Sequence, residues 1–292
     1  MVVLRGDPAV RLGEAELWWA SRTPDGPGTL HLRRDGGELV ATGYGPGAGW
    51  LVEHADAIAG LRDDLGDFPV VATRHPVVRE AYRRLPGLRL PRSGQVFQHL
   101  VPTIVAQKVS GMEAARGYRR LANRFGEPAP GPVDGLLLPP DPQVLAATPY
   151  WVFHPFGIEQ RRADAVRRAA AVAARLDRCA TSDEAGRHLR SVPGIGGWTV
   201  AEVVRVSHGD PDAVSVGDYN LPHQVAYALT GQARAGARDN RPGELSPADA
   251  RMLELLEPFR GHRARVCRLL LATGARPPRF GPRAQLRSFA RF

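Results

Sequence analysis

The chain has 292 residues, of which 43% are hydrophobic, a formal net charge of +9 and two cysteines. That length fits one large domain or two to three smaller ones, and the apolar content excludes disorder over the whole chain. No apolar run reaches about 18 residues and the first residues carry charges where a leader needs an apolar stretch, so neither a membrane span nor a signal peptide is expected, and a cytoplasmic protein is.

Residues 1–90 read as a small, β-rich α+β domain. Three segments, 15–21 (AELWWAS), 28–34 (GTLHLRR) and 37–45 (GELVATGYG), alternate apolar and polar residues and are separated by turn-forming Pro, Gly and Asp. Residues 49–65 and 75–85 have helical apolar spacing, and the Pro/Gly-rich stretch 86–94 marks the expected boundary. From 91 to 275 the pattern is helical, with apolar residues recurring at i, i+3, i+4 and i+7 in 95–109, 111–126, 158–176 and 183–192. The stretches 126–142 and 231–247 read as long loops, and residues 276–292 as a flexible basic tail that is either solvated or in contact with phosphate.

The two cysteines, Cys179 and Cys267, are far apart and in no metal-type spacing. Reduced thiols are expected, with no cysteine metal site and no iron–sulfur cluster. The histidines lack the i, i+4 pairing that a catalytic metal would use. The positive charge favours an anionic partner, nucleic acid first. Among the 39 basic residues there is one lysine, Lys108. A GC-rich gene explains the arginine excess but not the position of that lysine.

Residues 192–200 read VPGIGGWTV. Two helical patterns flank this glycine turn, so 183–208 is expected to form a helix–hairpin–helix. Gly194, Gly196 and Gly197, with Ile195 and Thr199, would let backbone N–H groups and a helix N-terminus approach a phosphate, positioning the protein without reading sequence. A helix cap followed by an ordinary turn is the plainer alternative. Twenty residues beyond Trp198 comes Asp218, just ahead of an apolar-periodic helix. An aspartate there suits an N-cap, although Asn220 suits it equally well and would leave Asp218 free.

Hairpin, loop and aspartate in this order resemble the helix–hairpin–helix DNA glycosylase superfamily, and within it the 3-methyladenine DNA glycosylase II family. The segment 106–110 (AQKVS) resembles an upstream motif of that family, and 156–170 and 256–274 resemble its flanking helices. The resemblance covers about 90–275. It implies a mainly α fold of two helical subdomains with the active-site cleft between them. It further implies excision of a damaged, flipped base, an alkylated purine first, from double-stranded DNA by a nucleoid-associated monomer, leaving an abasic site.

Asp218 is then the catalytic carboxylate, stabilising positive charge on the sugar and orienting water. The substrate pocket is expected from Gln107, Trp198, Tyr219 and Phe259, as an aromatic site holding a cationic base. Lys108 is expected to contact DNA as a polar wedge or at a phosphate. Superfamily members that also cleave the strand carry a lysine where this chain has Trp198, so water rather than a Schiff base is the expected nucleophile. A bifunctional glycosylase/lyase on oxidised bases, which Trp198 argues against, is the first alternative, and a nonstandard Schiff base at Lys108 would give weak lyase activity. A noncatalytic DNA-binding protein that keeps the hairpin is the second. The resemblance also implies a structural Na+ or K+ on the backbone carbonyls of Arg190, Val192 and Gly194, and no cofactor for catalysis. The segment 267–274 (CRLLLATG) lacks an aromatic that the family often places there, and Phe259 is its nearest substitute.

Overall fold

A computed structural model describes residues 6–237 and 244–278. The expected tail falls mainly outside them, beyond 278. The chain opens with an antiparallel sheet, β1 (Val10–Leu12), β2 (Glu16–Thr23), β3 (Gly26–Asp35) and β4 (Glu38–Tyr44), in sequential order. The period of two sends Trp19, Leu30 and Leu32 to one face, with Trp19 opposite Leu30 and Leu17 opposite Leu32. That face packs on α1 (Ala48–Glu53) and α2 (Ala55–Ala59) through Leu51, Ala55 and Ile58. The opposite face, at Ala20, is covered by Leu136 and Leu138 from within the expected loop 126–142. That loop is therefore part of the sheet layer, held by a bridge between Pro128 and Leu137 and by Arg22 donating to the Pro139 carbonyl at 2.8 Å.

The helices α3 (Phe68–Val71), α4 (Pro76–Arg84), α5 (Val96–Val105), α6 (Gly111–Phe125), α7 (Pro142–Ala147), α8 (Gln160–Ala171), α9 (Ala173–Asp177), α10 (Ser182–Arg190), α11 (Gly197–Ser207), α12 (Leu221–Thr230), α13 (Pro247–Leu256) and α14 (Arg263–Ala272) follow. They bury two separate apolar clusters. One joins α5, α6, α8, α10 and α11 through residues such as Leu100, Ile104, Tyr118, Val166, Leu189 and Val203. The other joins α3 and α4 to α12, α13 and α14 through Phe68, Val78, Val225, Met252 and Leu269. Two helical lobes of a mainly α fold result, with the small sheet domain at one side.

The second cluster crosses residue 90. α3 and α4 precede the expected boundary, yet their apolar faces belong to the lobe built from α12–α14. Period alone cannot say which distant surface covers a helix. The link is fixed by a buried ion pair, Arg265 to Asp63, bidentate at 2.5 and 2.7 Å with side chains 1% and 5% exposed. Asp63 also accepts the Leu90 N–H at 2.9 Å.

A second buried arginine sets the start of the functional region. Arg162 on α8 donates to the Val105 carbonyl at 2.6 Å and to the Gly157 carbonyl at 3.0 Å. It thereby satisfies one of the carbonyls that the end of α5 leaves without a helical donor. Five residues later α6 begins with a capping box, Ser110 accepting from Glu113 N–H and Glu113 accepting from Ser110 N–H. The short turn between, 106–109, is therefore clamped at both ends.

Removing one partner of the Arg265–Asp63 pair leaves a charge buried without compensation. We expect Asp63→Ala to lose about 3–5 kcal/mol in urea denaturation. Pairing it with Arg265→Met should restore most of that loss, because the apolar replacement removes the orphaned charge.

Candidate active site

The hairpin forms as expected, α10 and α11 enclosing a turn at 191–196. Two of its residues face inward. Val192 and Ile195 are buried in the α5–α11 cluster, so Ile195 anchors the turn rather than reaching outward. Gly194 has φ +100, and a Cβ there would lie 2.9 Å from the Ala165 Cβ on α8. Its glycine is required by backbone conformation and by close packing against α8. Gly196 and Gly197 differ: a Cβ at either would meet nothing within 4 Å. These two open the approach to the N-terminus of α11, whose Gly196 N-cap has no side chain to occupy the free N–H groups.

Gln107 and Thr199 form the strut beneath the turn. The Gln107 side-chain amide donates to the Gly194 carbonyl and to the Thr199 hydroxyl, both at 3.0 Å. Thr199 is 2% exposed. Gln107, expected in the pocket, thus sits behind the hairpin, and Thr199, expected at DNA, is buried. The cation expectation meets the same contact. Gly194 O accepts from Gln107 and Val192 O accepts from the Ile195 N–H at 3.1 Å, so two of the three implied carbonyls already hold protein donors. A carbonyl oxygen has two lone pairs, so these bonds leave one on each for the implied Na+ or K+.

Lys108 follows Gln107 with φ +55 and is the one non-glycine residue with positive φ among those described. A lysine held in the left-handed region at a clamped turn is a constrained feature of the kind found at functional positions. Its side chain is exposed next to the hairpin strut.

Trp198 and Asp218 meet. The indole Nε1–H of Trp198, in the first turn of α11, donates to Asp218 Oδ2 at 3.0 Å. Asp218 Oδ1 accepts the backbone N–H groups of Asn220 and Leu221, each at 2.8 Å. Asn220 makes no side-chain cap bond. Of the two equally suited caps it is Asp218 that serves α12, with one oxygen, and it meets the tryptophan with the other.

The loop carrying Asp218 is held by two carboxylates that sequence reading missed. Asp249 on α13, 6% exposed, accepts the Gly217 N–H at 2.9 Å and is itself bonded to Ser246. Glu202 on α11 accepts from the Ser215 hydroxyl and, through its other oxygen, from Arg205 at 2.8 Å. Glu202 falls one helical turn after Trp198, which places both on one face of α11, and that spacing was the available signal. Asp249 lies far off in sequence and left none.

Tyr219, beside Asp218, is 72% exposed at the mouth of the site. Phe259 is 1% exposed and packs in the α3–α14 core, so it lines no pocket. A cavity of about 220 Å³ opens next to Asp218, between α11, α12 and α14. Its walls include Glu202, Arg205, Gln224, Arg268 and Leu271, and none of its lining residues is aromatic. The expected aromatic wall is confined to Trp198 at the carboxylate.

Elsewhere, Cys179, Glu184 and His188 lie with possible ligand atoms within 4.8 Å of one another. Glu184 and His188 lie on the first hairpin helix and Cys179 just ahead of it. Glu184 accepts the Ala180 N–H at 3.0 Å, and the Cys179 thiol lies 3.5 Å from the Arg175 carbonyl and 3.3 Å from His188 Nδ1. Burial pushes the Cys179 thiol pKa up, which opposes thiolate formation. No described helix is long and apolar enough to cross a membrane.

No protein-family profile matches the chain. Its fold matches that of 3-methyladenine DNA glycosylase from Archaeoglobus fulgidus, with a TM-score of 0.71 over 93% of this chain and 91% of that one, at 18% identity. The fold and the hairpin with its aspartate thus define a helix–hairpin–helix DNA glycosylase architecture. In sequence the chain is 34% identical over 161 residues to DNA-3-methyladenine glycosylase 2 of Escherichia coli K12, covering 54% of this chain and 57% of that protein. It is 27% identical over 148 residues to a probable bifunctional transcriptional activator/DNA repair enzyme AlkA of Mycobacterium tuberculosis, covering 50% of this chain and 30% of that protein. The resemblance to the 3-methyladenine DNA glycosylase II family is therefore borne out in sequence as well as in fold, although the chain spans little more than half of one relative and a third of the other.

The glycines of the turn should separate by experiment. Gly194→Ala must adopt a left-handed backbone against Ala165, and we expect it to lose about 1–3 kcal/mol in chemical denaturation. Gly197→Ala, in the first turn of α11 with open space around it, should be neutral or stabilising by up to about 1 kcal/mol.

Proposed function

We propose that the protein is a monofunctional DNA glycosylase that hydrolyses the N-glycosidic bond of a damaged base flipped out of double-stranded DNA, an alkylated purine by sequence similarity, and leaves an abasic site. The observation that carries this reading is the bond between the Trp198 indole and Asp218 at 3.0 Å, which joins the hairpin to a carboxylate beside a cavity.

In this reading the duplex backbone meets the open N-terminus of α11 at Gly196 and Gly197, and the net charge of +9 favours its approach. Lys108, exposed on its constrained turn, enters the gap left by the flipped nucleotide or meets a flanking phosphate. The base enters the cavity and the sugar C1′ comes to rest near Asp218. As the C1′–N bond breaks, its electron pair leaves with the base and positive charge grows on the sugar. Asp218, its carboxylate oriented by three N–H donors, stabilises that charge without reorganising. The alkylated purine departs as a neutral base, water forms the new bond to C1′, and its proton passes by way of the Asp218 carboxylate to solvent. Tryptophan at position 198 supplies no amine, which supports water over a Schiff base.

Release of free 3-methyladenine or 7-methylguanine from methylated DNA, followed by chromatography, tests the reading. We expect release by the wild type and at least about 100-fold slower release by Asp218→Asn, with DNA affinity kept. An Asp218→Asn variant as active as the wild type would remove the aspartate from the chemistry. Borohydride trapping on damaged DNA should give no covalent species above that of a Lys108→Ala control. A Lys108-dependent adduct would instead favour the lyase alternative.

A further inference from the structure

The reaction leaves unused the cluster at the start of the first hairpin helix, where Cys179, Glu184 and His188 converge. Glu184 and His188 are one helical turn apart on α10, so they share a face. Cys179 reaches that face from the turn between α9 and α10. Its backbone is fixed there, the carbonyl accepting from His208 Nε2 at the end of α11 at 3.0 Å. One sulfur, one imidazole nitrogen and one carboxylate oxygen thus lie within 4.8 Å of one another, with Cys179 buried and the other two half-buried.

The separations suit a shared ion. The Cys179 sulfur and His188 Nδ1 are 3.3 Å apart. Zn–S and Zn–N bonds of about 2.3 and 2.0 Å at a tetrahedral angle span about 3.5 Å. Glu184 takes the Ala180 N–H on one oxygen at 3.0 Å and, among the described residues, keeps the other free. The charges that act on the thiol are Glu184 and Asp177 on one side and Arg175 and Arg187 on the other. They balance, so no surplus of positive charge bars a cation.

We propose that Cys179, Glu184 and His188 form a zinc site, with water in the fourth position, that ties the α9–α10 turn to the first helix of the hairpin. Sulfur, imidazole nitrogen and carboxylate oxygen are a zinc donor set. The Zn–S bond replaces the thiol S–H bond, and the proton passes to solvent. The site is structural and shares no residue with the Trp198–Asp218 contact. Cysteine spacing concealed it, because the partners of Cys179 are a glutamate and a histidine.

Titration of the full chain, first stripped of metal by a chelator, with Co2+ and then Zn2+ tests this. The wild type takes one Co2+ per chain and shows a thiolate-to-cobalt charge-transfer absorption that Zn2+ bleaches. Cys179→Ser abolishes that absorption. His188→Gln and Glu184→Gln weaken Co2+ binding at least about 10-fold, the second while keeping an acceptor for the Ala180 N–H. Zn2+ raises the unfolding temperature of the wild type and leaves that of Cys179→Ser unchanged. Unfolding without metal shows which variants fold, and where Cys179→Ser does not, the other two carry the test. No charge-transfer absorption in the wild type, or one that survives Cys179→Ser, overturns the proposal and leaves a hydrogen-bonded thiol beside a capped helix. Metal held equally by all four proteins is adventitious and overturns it too. None of these outcomes touches the glycosylase reading.

Discussion

The carboxylate of Asp218 is where the two lobes of the molecule are tied at the site. One oxygen takes the first N–H groups of α12, which belongs to the lobe built on α3, α4, α13 and α14. The other takes the indole of Trp198, whose helix belongs to the lobe built on α5, α6, α8 and α10. A carboxylate offers about four lone-pair positions, and three donors converge on it from two directions. The loop that delivers it is held in turn by Asp249 from one lobe and Glu202 from the other. The orientation of this group is therefore set by the relative position of the lobes, and anything that lets them slip loosens it.

Much of this was legible in the sequence because it is local. The hairpin is a run of nine residues whose glycines and flanking helical periods are contiguous. Asp218 follows at a fixed distance, ahead of a helix whose start signals are plain. The strands at 15–45 alternate cleanly because one face of each is covered. What escaped notice depends on contacts distant along the chain. Gln107 sits 87 residues from the Gly194 carbonyl it supports, and Asp249 sits 32 residues from the Gly217 N–H it accepts. Phe259 and the pair α3–α4 have the periodicity of buried residues, but periodicity does not say in which core. The capping of α12 was left open for another reason. Asp and Asn two residues apart are equally good acceptors, and only the backbone conformation at Asn220, φ −109 and ψ −32, decided that Asp218 reaches the helix.

The resemblance and the cavity give different emphases. Similarity to 3-methyladenine DNA glycosylases carries the fold, with the hairpin and the aspartate in it. The walls of the cavity beside Asp218 are polar, charged and aliphatic rather than aromatic, and they lie on α11, α12 and α14.

The turn at Lys108 has a practical side. Among 292 residues the chain holds a single lysine, and it is exposed in a left-handed turn beside the hairpin. Reagents that acylate amines therefore have one side chain to address, beside the hairpin, with only the α-amine competing. A fluorophore placed there would report on the surroundings of that turn without any engineered cysteine.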